Sequence, residues 1–159
     1  MKKLLTFTSA VFLCFIFSGC PYESKVPLDK AKEKINQNLL GTWNEEHFEF
    51  KISKLNEFTY LLWGRDKFTN EIEDTVAAYI TTLNGITFLN VYDYNPDGVP
   101  EKYHLYKMEM NGDKQVKIFP VTDDIKNEFS TSDSLKIFIV GNMKHDGFFE
   151  EPWILTRIK

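Results

Sequence analysis

From Trp43 onward, apolar and polar residues alternate mostly with a period of two. In the first run, Phe48, Phe50 and Ile52 alternate with Glu49 and Lys51. This pattern is typical of half-buried strands, because successive side chains of a strand point to opposite faces. Turn residues separate the runs, and the Asn-Gly pair at 84–85 is the strongest hairpin signal. Because short turns cannot join parallel strands, the sequence predicts an antiparallel meander.

The alternation predicts about seven strands, which lie near 48–53, 58–63, 75–83, 86–92, 103–110, 116–121 and 153–158. An eighth strand could be hidden in 64–74. A short N-terminal helix is expected from Asp29, as its cap, to about Asn38. A second helix is expected to start at Ser132 and to precede the last strand, although residues 135–140 are also rich in β-branched side chains. The predicted fold class is therefore mainly β, an up-and-down meander with two short helices.

The N-terminus has the pattern of an export signal. Lys2 and Lys3 precede an apolar run that ends near Phe17, and Ser18-Gly19-Cys20 follows. The last four residues of this segment resemble a bacterial lipobox, which implies cleavage before Cys20 and acyl chains such as palmitate on its thiol and new amino group. The alternative is an ordinary signal peptide that leaves a free thiol. Because Pro21 rather than aspartate follows the cysteine, we expect an extracytoplasmic protein anchored in the outer membrane.

These features divide the chain into three parts. Residues 1–19 are the predicted signal peptide, 20–40 a lipidated tether with the short helix, and 41–159 a single β-barrel domain. The formal charge is −4 for the 159 residues, and it becomes −6 without residues 1–19, which carry only Lys2 and Lys3 as charged residues. Such an acidic chain lacks the basic face of a nucleic-acid-binding protein. We therefore expect no nucleic-acid partner.

Gly41-Thr42-Trp43 is a G-x-W motif at the entrance to the predicted sheet. With the meander, the late helix and the closing strand, it resembles the lipocalins and their calycin relatives, and more narrowly the small lipocalin-like lipoproteins of the Bacteroidetes. The resemblance implies that Trp43 plugs the closed end of a barrel and that Arg157 packs across its ring. A cation over an indole contributes about 0.5–2 kcal/mol. The alternative is an open barrel or a sandwich with Trp43 as an ordinary core residue.

Aromatic residues make up 15% of the chain, and many of them fall in predicted strands. They either fill the barrel interior or line a pocket for an apolar ligand. The residues considered as ligand-lining are Tyr60, Tyr79, Phe88, Tyr103 and Phe119.

The turn at 93–98 resembles half of a calcium-binding loop. Asp93, Asn95 and Asp97 provide alternate oxygens, and Gly98 permits the tight turn. His104 stands where such a loop carries its last glutamate, so a plain hairpin turn is the favoured interpretation and any calcium site is expected to be weak. No other cofactor is expected.

The sequence has no motif of an activated nucleophile or of a zinc site. We therefore expect no enzyme, although catalysis would gain support if two of His47, His104 and the nearby carboxylates converged in one cleft. The leading hypothesis is a membrane-anchored lipoprotein whose barrel binds a small apolar or amphipathic ligand. The alternative is a packed barrel that binds another protein of the cell envelope. A barrel filled by its own side chains would favour the alternative.

Overall fold

The computed structural model of the protein describes residues 21–73 and 75–158. The predicted signal peptide and Cys20 lie outside these residues. The strands within them are β1 (Glu23–Ser24), β2 (Gly41–Asn44), β3 (Phe48–Lys54), β4 (Tyr60–Asp66), β5 (Val76–Leu83), β6 (Ile86–Asp93), β7 (Tyr103–Asn111), β8 (Gln115–Pro120) and β9 (Trp153–Arg157). The helices are a 3-10 helix (Gln37–Leu39) and α1 (Ser132–Asn142).

Strands β2 to β9 form a closed eight-stranded antiparallel barrel. Each strand pairs with the next along the chain, and β9 pairs back onto β2. The predicted meander and the helix before the last strand are confirmed. At the hairpin between β5 and β6, Asn84 and Gly85 both have positive φ, 49° and 80°, as a type I′ turn requires.

The eighth barrel strand is β2, which the alternation pattern missed. It has four residues, of which only Trp43 is buried, so it is too short to show a period of two. A tight turn separates it from β3, with the Glu45 N–H donating to the Phe48 carbonyl at 2.9 Å. The described part of 64–74 contains no separate strand. Its first residues complete β4, and Ile72 forms one isolated bridge with Arg65.

The alternation places one side of each strand inside the barrel. A single cluster of buried apolar side chains fills the space between the two ends: Ile35, Leu39, Trp43, Ile52, Tyr60, Ile80, Leu89, Met108, Val116, Ile118 and Leu155. An eight-stranded barrel is just wide enough for such side chains to fill it. The centre of the barrel is therefore occupied by the protein itself.

The two ends of the barrel differ. We call the end that carries the 3-10 helix and the turns at 55–59, 84–85 and 112–114 the closed end. We call the opposite end, with the connections near 45–47, 67–75, 94–102 and 121–131, the open end. The connections of the open end lie on one rim of the barrel, because each strand runs opposite to its neighbour and alternate connections therefore fall at the same end.

Residues 21–36, here called the N-terminal strap, are packed against the barrel rather than extended as a tether. Tyr22 and Leu28 are buried, and β1 pairs with the first two residues of β7. The helix predicted from Asp29 to Asn38 is wrong in extent, since only the 3-10 turn Gln37–Leu39 forms. Contacts with the sheet, such as the Ile35 N–H with the Glu57 carbonyl at 3.0 Å, replace the hydrogen bonds of a helix.

Helix α1 packs on the outside of the barrel. Thr131 caps it by accepting a hydrogen bond from the Ser134 N–H at 3.2 Å. Its buried residues Leu135 and Ile139 belong to a second apolar cluster, which includes Phe88 and Leu105 from the outer face of the sheet. No helix among the described residues has both the length and the apolar character needed to cross a membrane.

Candidate functional site

The closed end is sealed by Trp43 and Arg157. The Arg157 guanidinium carbon lies 4.5 Å from the centroid of the Trp43 ring. Trp43 is completely buried, and its indole N–H donates to the Leu39 carbonyl at 2.8 Å. The Arg157 guanidinium also donates to the carbonyls of Asp113 at 2.8 Å and Leu40 at 2.9 Å, and to that of Asn38. These contacts give Trp43 and Arg157 a structural role in holding the closed end together.

The five aromatic residues considered as ligand-lining lie on two sides of the sheet. Tyr60 points inward and is buried in the interior cluster, where its hydroxyl accepts from the Asn36 N–H at 2.6 Å. Burial raises the pKa of the Tyr60 hydroxyl above its usual value. Tyr79, Phe88, Tyr103 and Phe119 lie on the outer face instead. In each strand they alternate with the residues whose side chains point inward, and so do the residues paired with them on the neighbouring strands. Only Tyr60 of the five is in the barrel interior.

The four outer-face aromatics lie beneath other elements of the protein or against them. Phe88 is buried in the cluster with α1. The Tyr79 hydroxyl donates to the Asp29 carbonyl in the strap at 2.8 Å, and burial raises the pKa of Tyr79 far above its usual value. The Lys107 ammonium lies 4.0 Å from the centroid of the Phe119 ring. Tyr79 and Phe88 thus attach the strap and α1 to the barrel.

Asn90 holds the strap at the centre of this outer face. Its side-chain carbonyl accepts from the Leu28 N–H at 2.7 Å, and its amide donates to the Thr81 hydroxyl at 3.0 Å. Asn90 and Leu28 are both completely buried. Sequence reasoning missed Asn90, although a polar residue inside the apolar run of β6 was a visible signal of a buried hydrogen bond.

Partly exposed apolar side chains line the inside of the open end, a surface that we call the cup. Its wall includes Phe50, Leu62 and Val91, which pack on the interior cluster while remaining partly exposed. His104 pairs with Val91 in register and so lies on the same side of the sheet. Its Nδ1 is buried and has no hydrogen-bond partner among residues 21–73 and 75–158. This side of the sheet thus combines apolar side chains with the His104 Nδ1 atom, which can accept or donate a hydrogen bond.

Large apolar side chains project from the loops around this cup. Phe68 is 78% exposed, Ile72 70% and Val99 87%. Phe68 and Ile72 lie on the β4–β5 connection, and Val99 lies on the β6–β7 connection. The open end is therefore the part of the described barrel where exposed apolar groups surround a partly apolar surface, a combination associated with binding.

The predicted calcium loop is an exposed turn between β6 and β7. The Asn95 side-chain oxygen accepts from the Asp97 N–H at 3.1 Å, and the Asn95 carbonyl accepts from the Gly98 N–H at 3.3 Å. One of the three predicted ligand oxygens is thus used in holding the turn. Across the described residues, no cluster of three or more His, Cys, Asp or Glu side chains is arranged to hold a metal ion. Calcium binding at Asp93, Asn95 and Asp97 stays a prediction.

His47 and His104 lie on opposite sides of the barrel. His47 is in the β2–β3 turn, with its ring centroid 5.6 Å from that of Phe68. His104 is in β7, four strands away from β3 in a barrel of eight. The structure does not bring them into one cleft.

Two shallow cavities lie outside the barrel, where the strap meets the connection from β8 to α1. Their volumes are about 360 Å³ and 270 Å³, and Tyr22, Glu23 and Glu128 line both. Lys25 and Lys102 form ion pairs across the second, with Glu128 at 2.8 Å and Glu23 at 2.6 Å. These pairs hold the start of the strap against the open end.

The barrel topology is compatible with a lipocalin-like fold. Comparisons with protein-family models, with curated proteins and with solved structures find no match. The fold is therefore established by its own geometry, as a closed eight-stranded antiparallel barrel with one helix packed outside.

Proposed function

We propose that this protein is a non-enzymatic, lipid-anchored interaction module of the cell envelope that binds another protein through the open end of its barrel. The observation that carries the proposal is the set of exposed apolar side chains around the cup, Phe68, Ile72 and Val99. Binding surfaces are expected to have apolar anchors at their centre, with polar groups at the rim.

The filled interior supports this proposal over a ligand carried at the centre of the barrel. Trp43 and Tyr60 fill the part of the barrel interior next to the closed end. Large apolar side chains such as Met108 fill the middle of the interior. A ligand would have to displace packed apolar groups, and closely packed interiors resist such changes. The partly exposed side chains of the cup leave a surface for a partner.

The anchor is the part of the proposal that comes from the lipobox at 17–20. Since Tyr22 is already buried against the barrel, the chain offers almost no free length between Cys20 and the folded body. Two or three acyl chains at Cys20 would then hold the barrel close to the membrane surface. Incorporation of an alkyne analogue of palmitate tests the anchor, and the Cys20→Ser variant should lose the label.

Site-specific photo-crosslinking in the intact envelope tests the binding surface. A photoreactive residue at Val99 or Phe68 should form an adduct with one defined envelope protein, identified by mass spectrometry. The matched control is the same residue at Ile137, which is 75% exposed on α1, away from the open end. Equal adducts at all three positions, or none at the open end, would refute the proposal.

A second candidate is a small amphipathic ligand bound in the cup itself. The buried, unpartnered Nδ1 of His104 beside the apolar wall favours it, because small-ligand sites combine apolar linings with few polar groups. Fluorescence of the apolar dye N-phenylnaphthylamine tests this, with Leu62→Asp expected to abolish dye binding. Ile154→Asp, on the outer face of β9, is the control.

A further inference from the structure

The charges of the protein are distributed unevenly between the two ends of the barrel. The loops and strand ends of the open end (45–47, 66–73, 93–102, 121–131 and 148–152) contain thirteen Asp or Glu and three Lys. The described closed-end segments (32–41, 54–59, 84–85, 111–115 and 157–158) contain five Lys or Arg and three Asp or Glu. The net negative charge of the chain is therefore concentrated around the cup.

Most of these carboxylates have no cationic partner among the described residues. Glu128 pairs with Lys25, and Glu46 lies 4.0 Å from the His47 imidazole. The Lys67 ammonium bonds instead to the Asn44 side chain and the Glu45 carbonyl. Unneutralised charge of one sign around an apolar surface selects partners of the opposite sign.

We propose that the partner bound at the open end is a cationic amphipathic polypeptide segment, whose apolar face covers Phe68, Ile72, Val99 and the cup and whose Lys or Arg residues meet the acidic loops. This inference rests on the proposed function and names its partner class. Burial of the three exposed apolar side chains provides affinity, while the carboxylates provide orientation and speed of association.

The same charges argue against a membrane as the occupant of this surface. Bacterial and cytoplasmic leaflets carry anionic lipids, which attract basic segments. The anchor proposed at Cys20 would bring the open end near such a surface, but its acidic loops are repelled by anionic headgroups, so a polypeptide is the favoured occupant. The test must therefore distinguish binding of a polypeptide at the open end from binding of a membrane.

The probe is a synthetic 14-residue amphipathic helix of Leu and Lys, titrated against the protein at about 0.15 M salt. Two control peptides each keep one property of the probe. A peptide of Leu and Glu keeps the apolar face without the positive charge, and a peptide of Ser and Lys keeps the positive charge without the apolar face. The Leu/Lys peptide should bind at least about tenfold more tightly than either control. Equal binding of the Ser/Lys peptide would show unspecific charge attraction and would overturn the proposal.

Matched variants locate the binding. Glu71→Gln with Glu101→Gln should weaken Leu/Lys binding about five- to tenfold, and Phe68→Ser with Val99→Ser by a similar factor. Glu57→Gln with Asp113→Asn removes the same charge from the closed end, and Ile137→Ser removes an exposed apolar side chain from α1. These controls should change the affinity by less than about twofold. A control loss as large as the test loss would overturn the proposal.

Two further outcomes separate this inference from the proposed function. If anionic vesicles bind the protein and Phe68→Ser with Val99→Ser abolishes that binding, the open end is a membrane surface and the proposal fails. If the envelope adduct at Val99 survives in the Glu71→Gln, Glu101→Gln background, the protein still binds a partner there. In that case only the cationic character of the partner is refuted.

Discussion

Arg157 and Trp43 are register partners on adjacent strands, and their side chains stack inside the closed end with 4.5 Å between the guanidinium carbon and the ring centroid. The pairing of β2 with β9, which closes the barrel, contains only two residue pairs. The stacked pair and its hydrogen bonds to the carbonyls of Leu40 and Asp113 therefore reinforce the shortest junction in the barrel.

Arg157→Ala should lower the free energy of unfolding by about 2–4 kcal/mol, because it removes the stacked cation and leaves several backbone carbonyls without a donor. Arg157→Lys should recover only part of this loss, since an ammonium lacks the planar fork that reaches three carbonyls. Urea denaturation followed by tryptophan fluorescence measures both. A loss below about 0.5 kcal/mol for the alanine variant would contradict a structural role.

Gly41 is expected to tolerate no side chain. Its φ is +128°, and an added Cβ would lie 2.9 Å from Arg157 Nη1, so Gly41→Ala combines backbone strain with a clash. We expect a loss of about 2–3 kcal/mol in the free energy of unfolding. Gly141, at the end of α1 with no atom near its Cβ position, is the control. Gly141→Ala should be neutral or stabilising by up to about 1 kcal/mol, and similar losses for both would contradict the argument.

Asn90→Leu should release the strap from the barrel. The substitution leaves the buried Leu28 N–H without an acceptor, and we expect it to cost about 2–4 kcal/mol. Thermolysin should then cleave the strap faster than in the wild-type protein. Thr82→Val is the control, because it removes an exposed contact to Glu33 and should cost under about 1 kcal/mol. Unchanged cleavage of the Asn90→Leu variant would show that other contacts hold the strap.

Glu150 should make the protein less stable as the pH rises. Burial raises the pKa of its carboxyl, the nearby charges of Asp123 and Asp124 raise it further, and Oε2 has no partner among the described residues. Because the folded-state pKa exceeds the unfolded value, the folded protein retains this proton between the two, and stability falls as the pH rises through that interval.

Glu150→Gln removes this ionisation and should make the protein more stable than wild type at pH 7, with the difference shrinking as the pH falls below the folded-state pKa. Thermal unfolding from pH 4 to pH 8 measures it. Glu151→Gln, at the exposed neighbouring position, should leave the pH profile unchanged. A wild-type protein that is more stable than the Glu150→Gln variant at pH 7 would rule out this assignment.

The candidate site was only partly predictable from local patterns. The Asn-Gly turn and the alternating runs specify hairpins, and these are local features that any sequence window reveals. Phe68, Ile72 and Val99 lie in loops, where no strand period marks them, and their exposure is visible only in the folded protein. The burial of Asn90 likewise depends on a strap more than 60 residues away along the chain.

The antiparallel meander and the late helix follow from the amino-acid sequence alone, because strand periodicity, turn chemistry and helix capping act over a few neighbouring residues. Which face of each strand is interior depends on the tertiary structure. In the observed register Tyr60 lies inside the barrel, whereas four other aromatic residues lie on the outer face: Tyr79, Phe88, Tyr103 and Phe119. There Tyr79 contacts the strap, Phe88 packs with α1, and Phe119 contacts Lys107. The reason is that a shift of one residue exchanges the two faces of a strand, and only pairing around the closed barrel fixes that choice.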